Sequence, residues 1–207
     1  MSDLDYLNQI SADSRPVKAK SDFFIPKKLL FFLIGAVVLA LAIIIIGSNV
    51  SSPKNKEYEL VSTINYRSGN LIEIISTYNK KIKSSELRSM TSSLSSVLTA
   101  TQSSLNTIIT NEFADTEKEN KTTDESVEES EETYMNNIID TYLEPARLNG
   151  YLDRVYVSQL TYEISILMSL ESKCEETTSK TSLKEALASS YSNLESLETQ
   201  FENYSAD

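Results

Sequence analysis

The chain has 207 residues, enough for one ordinary domain with an anchor and linkers, and it contains no His, no Trp, four Gly, four Pro and one Cys. So few turn-forming residues argue against a β-rich fold, which needs a turn signal about every eight to twelve residues, and the absence of His removes the usual general base near neutral pH and the commonest transition-metal ligand. The formal net charge is −11, and only four of the 30 acids precede Ser48 against five of the 19 bases, so the C-terminal part holds nearly all the negative charge and repels nucleic acid or an anionic membrane surface.

Residues 1–28 lack the apolar content for a core and are expected to be a disordered cytoplasmic tail. Leu4, Leu7 and Ile10 could form a short amphipathic turn within it. Residues 29–47 then run without a charged or strongly polar side chain, long enough to cross a bilayer core of roughly 30 Å as a helix. Lys27 and Lys28 stand directly before this stretch, with Arg15, Lys18 and Lys20 upstream and only Lys54 and Lys56 on the far side. Basic residues favour the cytoplasmic side, so the sequence predicts a single-pass plasma-membrane protein with its N-terminus inside and residues 48–207 outside. A cleaved secretory signal fits less well. Its apolar core would be shorter, and the Ala40-Leu41-Ala42 triplet falls mid-span rather than at the end.

Beyond Ser51 the apolar residues follow helical spacing. Ser52 and Pro53 suit a cap and a first helical position. Val61, Ile64, Ser68, Leu71, Ile75, Tyr78 and Ile82 form a seam that predicts a helix over about 55–83. A second helix is expected over about 86–113, carried by Leu87, Met90, Leu94, Val97, Thr101, Leu105 and Ile108. Its outer face is mostly Ser and Thr, modest helix formers, so it depends on tertiary packing.

Residues 115–132 are dense in acids, with Val127 almost the only apolar side chain, and read as a solvated linker or a highly charged helix extension. No Asp-x-Asp-x-Asp-Gly loop is present to bind Ca²⁺. A third helix is expected over about 133–174, long and kinked before Pro145, with Asn149-Gly150 weakening it without ending it. Cys174 lies on the stripe of Leu167 and Leu170 and reads as a small buried apolar residue. An intermolecular disulfide is the alternative. A fourth helix over about 182–204 opens on Ser182 and Glu185, the spacing of a capping box. Its stripe is Leu183, Leu187, Ser190, Leu194, Leu197, Phe201 and Tyr204. The expected fold is all-α: one N-terminal transmembrane helix followed by an antiparallel four-helix-type bundle, with a coiled-coil oligomer as the rival arrangement.

No catalytic, cofactor or metal motif accompanies these stripes. There is no glycine-rich phosphate loop and no Gly-x-Ser-x-Gly, and Cys174 has no His to activate it. Three Asn-x-Ser/Thr triplets, at Asn49, Asn120 and Asn203, are what chance gives in a chain about one quarter Ser and Thr. Enzyme activity is not expected. Of the 11 Tyr residues, Tyr66, Tyr151, Tyr156, Tyr162 and Tyr191 are candidates for an exposed contact surface, since Tyr is favoured at interfaces. Tyr78, Tyr142 and Tyr204 fall on the stripes instead. The expected function is therefore an extracytoplasmic helical scaffold or interaction module for another envelope or membrane protein. The second reading is a sensing bundle, which would need polar groups inside the core. The seams offer Ser68, Thr101, Ser190 and Gln159 for that role. Self-assembly through the small residues of the span, Gly35, Ala36, Ala40 and Ala42, is a weaker third.

Overall fold

A computed structural model describes residues 53–119 and 121–204. The expected tail, membrane span and Ser52 cap lie outside the described residues, and among those described no helix is long and apolar enough to cross a membrane. The described elements are all helical, with no strand among them. They are α1 (Pro53–Tyr78), a 3₁₀ turn (Asn79–Lys81), α2 (Ser85–Glu112), α3 (Ala114–Glu119), α4 (Lys121–Ile138), a π-helical turn (Ile139–Leu143), α5 (Glu144–Leu148), α6 (Leu152–Thr177) and α7 (Thr181–Asn203).

Cross-helix hydrogen bonds fix the direction of each element. Asn65 meets Asn106 and Asn79 meets Ser92, so α1 and α2 are antiparallel. Thr101 meets Ser190 between α2 and α7, and Glu171 meets Ser190 between α6 and α7. Glu57 meets Thr178 while the Lys83 amide meets Asp153, closing the ring from α1 to α6. These four helices form an antiparallel ring around one core. Into it point Val61, Ile64, Leu71, Leu87, Leu94, Leu105, Leu160, Ile164, Leu167, Leu187, Leu194 and Phe201, all sealed from solvent. Burying each Leu contributes roughly 1.5 to 3 kcal/mol.

Helix α4 is a fifth long element, laid along α1 in the same direction, because Tyr66 meets Asp124, Arg67 meets Glu131 and Tyr78 meets Glu144 in ascending order. The acidic stretch expected as a linker is thus largely helical, with Thr116 and Glu131 buried. The single kinked helix expected over 133–174 is two antiparallel segments. Arg67 touches both Glu131 and Glu163, which requires the chain to reverse between them.

That reversal has a local cause. The helix first widens into a π turn, where the Glu144 amide donates to Ile139 O, just ahead of Pro145 with its missing donor. It ends five residues later in a Schellman arrangement: the Tyr151 amide reaches Ala146 O, the Gly150 amide reaches Arg147 O, and Gly150 takes φ of 81°. The asparagine–glycine pair therefore terminates the helix, and Leu148 stands 72% exposed at the end of α5.

Caps and surfaces follow similar logic. Ser84 caps α2 by accepting from the Leu87 amide. Asp153 accepts from the Lys83 and Ser84 amides and ties that joint to the start of α6. Ser182 does not cap α7, contrary to the capping-box spacing. The helix starts one residue earlier, at Thr181, and the Ser182 hydroxyl instead donates to Glu112 on α2. Along the outer face of α2, Ser92, Ser93, Ser96, Thr99, Ser104, Thr107 and Thr110 bond back to carbonyls one turn earlier, so their hydroxyls are satisfied within the helix. At the end where Pro53 enters, Phe113 is buried against Tyr58, and Lys180 lies over the Phe113 ring while bonding Glu57.

Candidate functional site

Three places in the fold hold side chains that a packed helical bundle does not require. The first lies between α1, α4 and α6. Arg67 is buried, and its Nε and Nη2 donate to the two oxygens of Glu131 at 2.7 and 3.0 Å, a bidentate pair. The guanidinium stacks over the Tyr134 ring at 4.5 Å. Tyr134 in turn donates its hydroxyl to Glu163 Oε1 at 2.8 Å. The other Glu163 oxygen lies 3.7 Å from Arg67 Nη1, beyond hydrogen-bond reach, and has no hydrogen-bond partner.

This cluster holds one cation and two carboxyl groups away from water. Burial disfavours the Glu163 carboxylate, and the nearby Arg67 charge and Tyr134 hydroxyl only partly offset it, so its pKa is pushed up to about 7. Arg67 stays charged, because Glu131 and Glu163 outweigh the burial that works against it.

A second buried polar chain crosses the core. Thr101 donates to Ser190 at 2.7 Å, and Ser190 donates to Glu171 Oε1 at 2.6 Å. Glu171 Oε2 has no hydrogen-bond partner, and burial pushes the Glu171 pKa up to about 8 against the partial relief from Ser190. Of the seam residues expected to be polar, Thr101 and Ser190 join this chain. Ser68 bonds back to Ile64 O, and Gln159 is half-buried.

The buried acids and Arg67 were missed as site residues, although the sequence carried a signal for them. Glu163 lies three residues after Leu160 and four before Leu167, and Glu171 lies four after Leu167 and three before Cys174. Arg67 lies three after Ile64 and four before Leu71. Charged residues at core register on a stripe were the visible sign.

The third place is the end of the bundle remote from Pro53. There Tyr142 is 47% exposed, Leu148 72% and Tyr151 48%, around the π turn and the Gly150 reversal. The 79–84 joint lies against the same region, through Lys81 to Glu144 and the Lys83 amide to Asp153. Arg147 and the Tyr78 hydroxyl hydrogen-bond Glu144, and together these bonds hold its carboxyl at about 2.

The five tyrosines expected to share a contact surface are not brought together as one. Tyr151 is exposed at the remote end. Tyr66 is half-buried, with its hydroxyl on Asp124, and Tyr162 and Tyr191 are half-buried. Tyr156 is completely buried against Tyr78 and cannot serve as an exposed contact. Its position, four residues after Leu152 and four before Leu160, puts it on the core stripe once α6 starts afresh at Leu152. Tyr142, expected on a stripe, is exposed instead.

Cys174 is free and fully buried, which keeps its sulfur from a partner thiol while the bundle is folded. Among the described residues, no group of three or more acids or cysteines is placed to hold a metal ion. A shallow open depression on α2, lined by Thr99, Gln102, Ser103, Asn106, Thr107, Thr110 and Asn111, presents only small polar groups. Compared with protein-family models, curated proteins and solved structures, the chain matches none.

Proposed function

We propose that this protein is a membrane-anchored interaction module. Residues 29–47 span the plasma membrane with the N-terminus in the cytoplasm, and the helical bundle outside contacts another envelope or membrane protein. Its role is binding rather than catalysis. The observation that carries this reading is the exposure of Tyr142, Leu148 and Tyr151 at one end of an otherwise well-sealed bundle. Solvent-exposed aromatic and aliphatic side chains of this kind are typical anchors at protein interfaces.

A photo-reactive amino acid at Leu148 of the full chain, in its native membranes, tests this. A recurring protein adduct that is lost on Tyr142→Ser plus Tyr151→Ser supports the reading. The same products from the exposed position Ser189 on α7, or none, would overturn it. Protease added to intact cells tests the topology, which fails if the acidic part stays uncut.

A sensing role is the second reading. It is favoured by Arg67, Glu131, Glu163 and Glu171 inside the bundle, where titratable groups of different elements meet.

A further inference from the structure

Helix α4 is poorly equipped to hold itself on the bundle. From Lys121 to Glu132 its one apolar residue is Val127, which is only half-buried. Glu125, Glu128, Glu129 and Glu132 crowd its exposed face at spacings of three and four, where like charges repel. Apolar docking comes from Met135 and Ile138 near its end. Over the rest, the polar contacts to α1 and α6 include Tyr58 and Tyr66 to Asp124, Arg67 to Glu131 and Tyr134 to Glu163.

We propose that the Arg67–Glu131–Glu163 cluster is a proton-controlled latch: a proton on Glu163 keeps α4 docked against α1 and α6, and loss of that proton loosens it. The charge count explains the direction. With Glu163 neutral, the sealed cluster contains Arg67⁺ and Glu131⁻ and balances. With Glu163 ionised, it contains one uncompensated buried carboxylate, which is relieved when α4 lifts and water reaches Oε2. Glu131 takes two hydrogen bonds from the guanidinium, whereas Glu163 Oε2 stands 3.7 Å from Arg67 Nη1 and has no hydrogen-bond partner.

Among the described residues, no second cation faces Glu163. Glu163 faces Arg67 from α1 and Glu131 and Tyr134 from α4, with Tyr162 beside it on α6. Helix α7 packs along α6 through Ser190 to Glu171 and through Glu198 to Ser165. Glu144 and Arg147 of α5 are engaged with Tyr78 and each other. The raised Glu163 pKa, at about 7, puts the transition near neutrality.

Hydrogen exchange of the full chain, corrected for the intrinsic pH dependence of exchange, tests the latch. From about pH 6 to about pH 8.5, protection of the α4 amides should fall about tenfold, the change given by a carboxyl moving from about 4.5 when exposed to about 7 when buried. Glu163→Gln should abolish that loss, and Glu171→Gln should leave it in place. The protonated-carboxyl C=O infrared absorption at pH 6, to which Glu171 also contributes, should weaken in Glu163→Gln by the share of one carboxyl. The latch is overturned if α4 protection does not change with pH, or if it equals that of α2, because α4 then leaves only when the whole bundle unfolds. Persistence of the pH response in Glu163→Gln also overturns it. If that variant does not fold, the wild-type series decides by itself. The latch does not depend on the exposed end binding a partner, so its failure would leave that proposal standing.

Discussion

Replacing Glu171 by Gln should make the bundle more stable in alkaline solution and flatten its pH dependence. Glu171 is 1% exposed, has no cation in contact, and satisfies only one oxygen, through Ser190. Its pKa of about 8 in the fold compares with an ordinary 4.5, so the folded state binds this proton more tightly than the unfolded chain does. The associated stability is therefore complete below about pH 4.5 and disappears as pH rises through about 8. At about 1.4 kcal/mol per pH unit, the whole effect is on the order of 5 kcal/mol. Between about pH 6 and about pH 9, the wild-type chain should lose roughly 4 kcal/mol, about two thirds from Glu171 and the rest from Glu163. Glu171→Gln should lose only about 1 kcal/mol over that window. Urea unfolding of the full chain at matched ionic strength measures both slopes. No His titrates in this window, and Cys174, whose thiol burial pushes from 9.0 up to about 12, adds to the loss only at the alkaline end and equally in both proteins. Wild-type stability that stays level or rises from pH 6 to 9, or equal slopes in the two proteins, would refute the reasoning.

Two further substitutions probe the same architecture. Arg67→Ala strips the buried Glu131 and Glu163 carboxyls of their only cation and should cost about 3 to 5 kcal/mol by denaturant unfolding, whereas Arg67→Met with Glu131→Met should recover much of the loss. Gly150→Ala should cost about 1 kcal/mol even though nothing lies within 4 Å of the added methyl, because the left-handed backbone at φ 81° is the obstacle; an unchanged melting temperature would contradict the assigned turn.

Helical stripes were legible in the sequence because a buried helix face needs apolar residues every three or four positions, and the seams of α1, α2 and α7 carry them nearly unbroken. The chain reversal at Asn149-Gly150 was harder to read, since the apolar spacing continues through it from Tyr142 and Leu148 to Leu152. Only the Schellman hydrogen bonds and the positive φ of Gly150 distinguish a helix end from a tolerated glycine. The acidic stretch looked like a linker because it has almost nothing to bury. It is held through charge and hydroxyl contacts from α1 and α6, which local composition does not record.

The sequence by itself determined that the described part of this chain is helical, through apolar spacing and the scarcity of glycine and proline. Which polar residues enter the core was decided by tertiary structure. Arg67, Glu131 and Glu163 are separated along the chain by 64 and 32 positions, and no local pattern says that they meet. They form a site only because the reversal at Gly150 folds α6 back beside α4, with α1 against both, in an interior that excludes the water which would otherwise screen them.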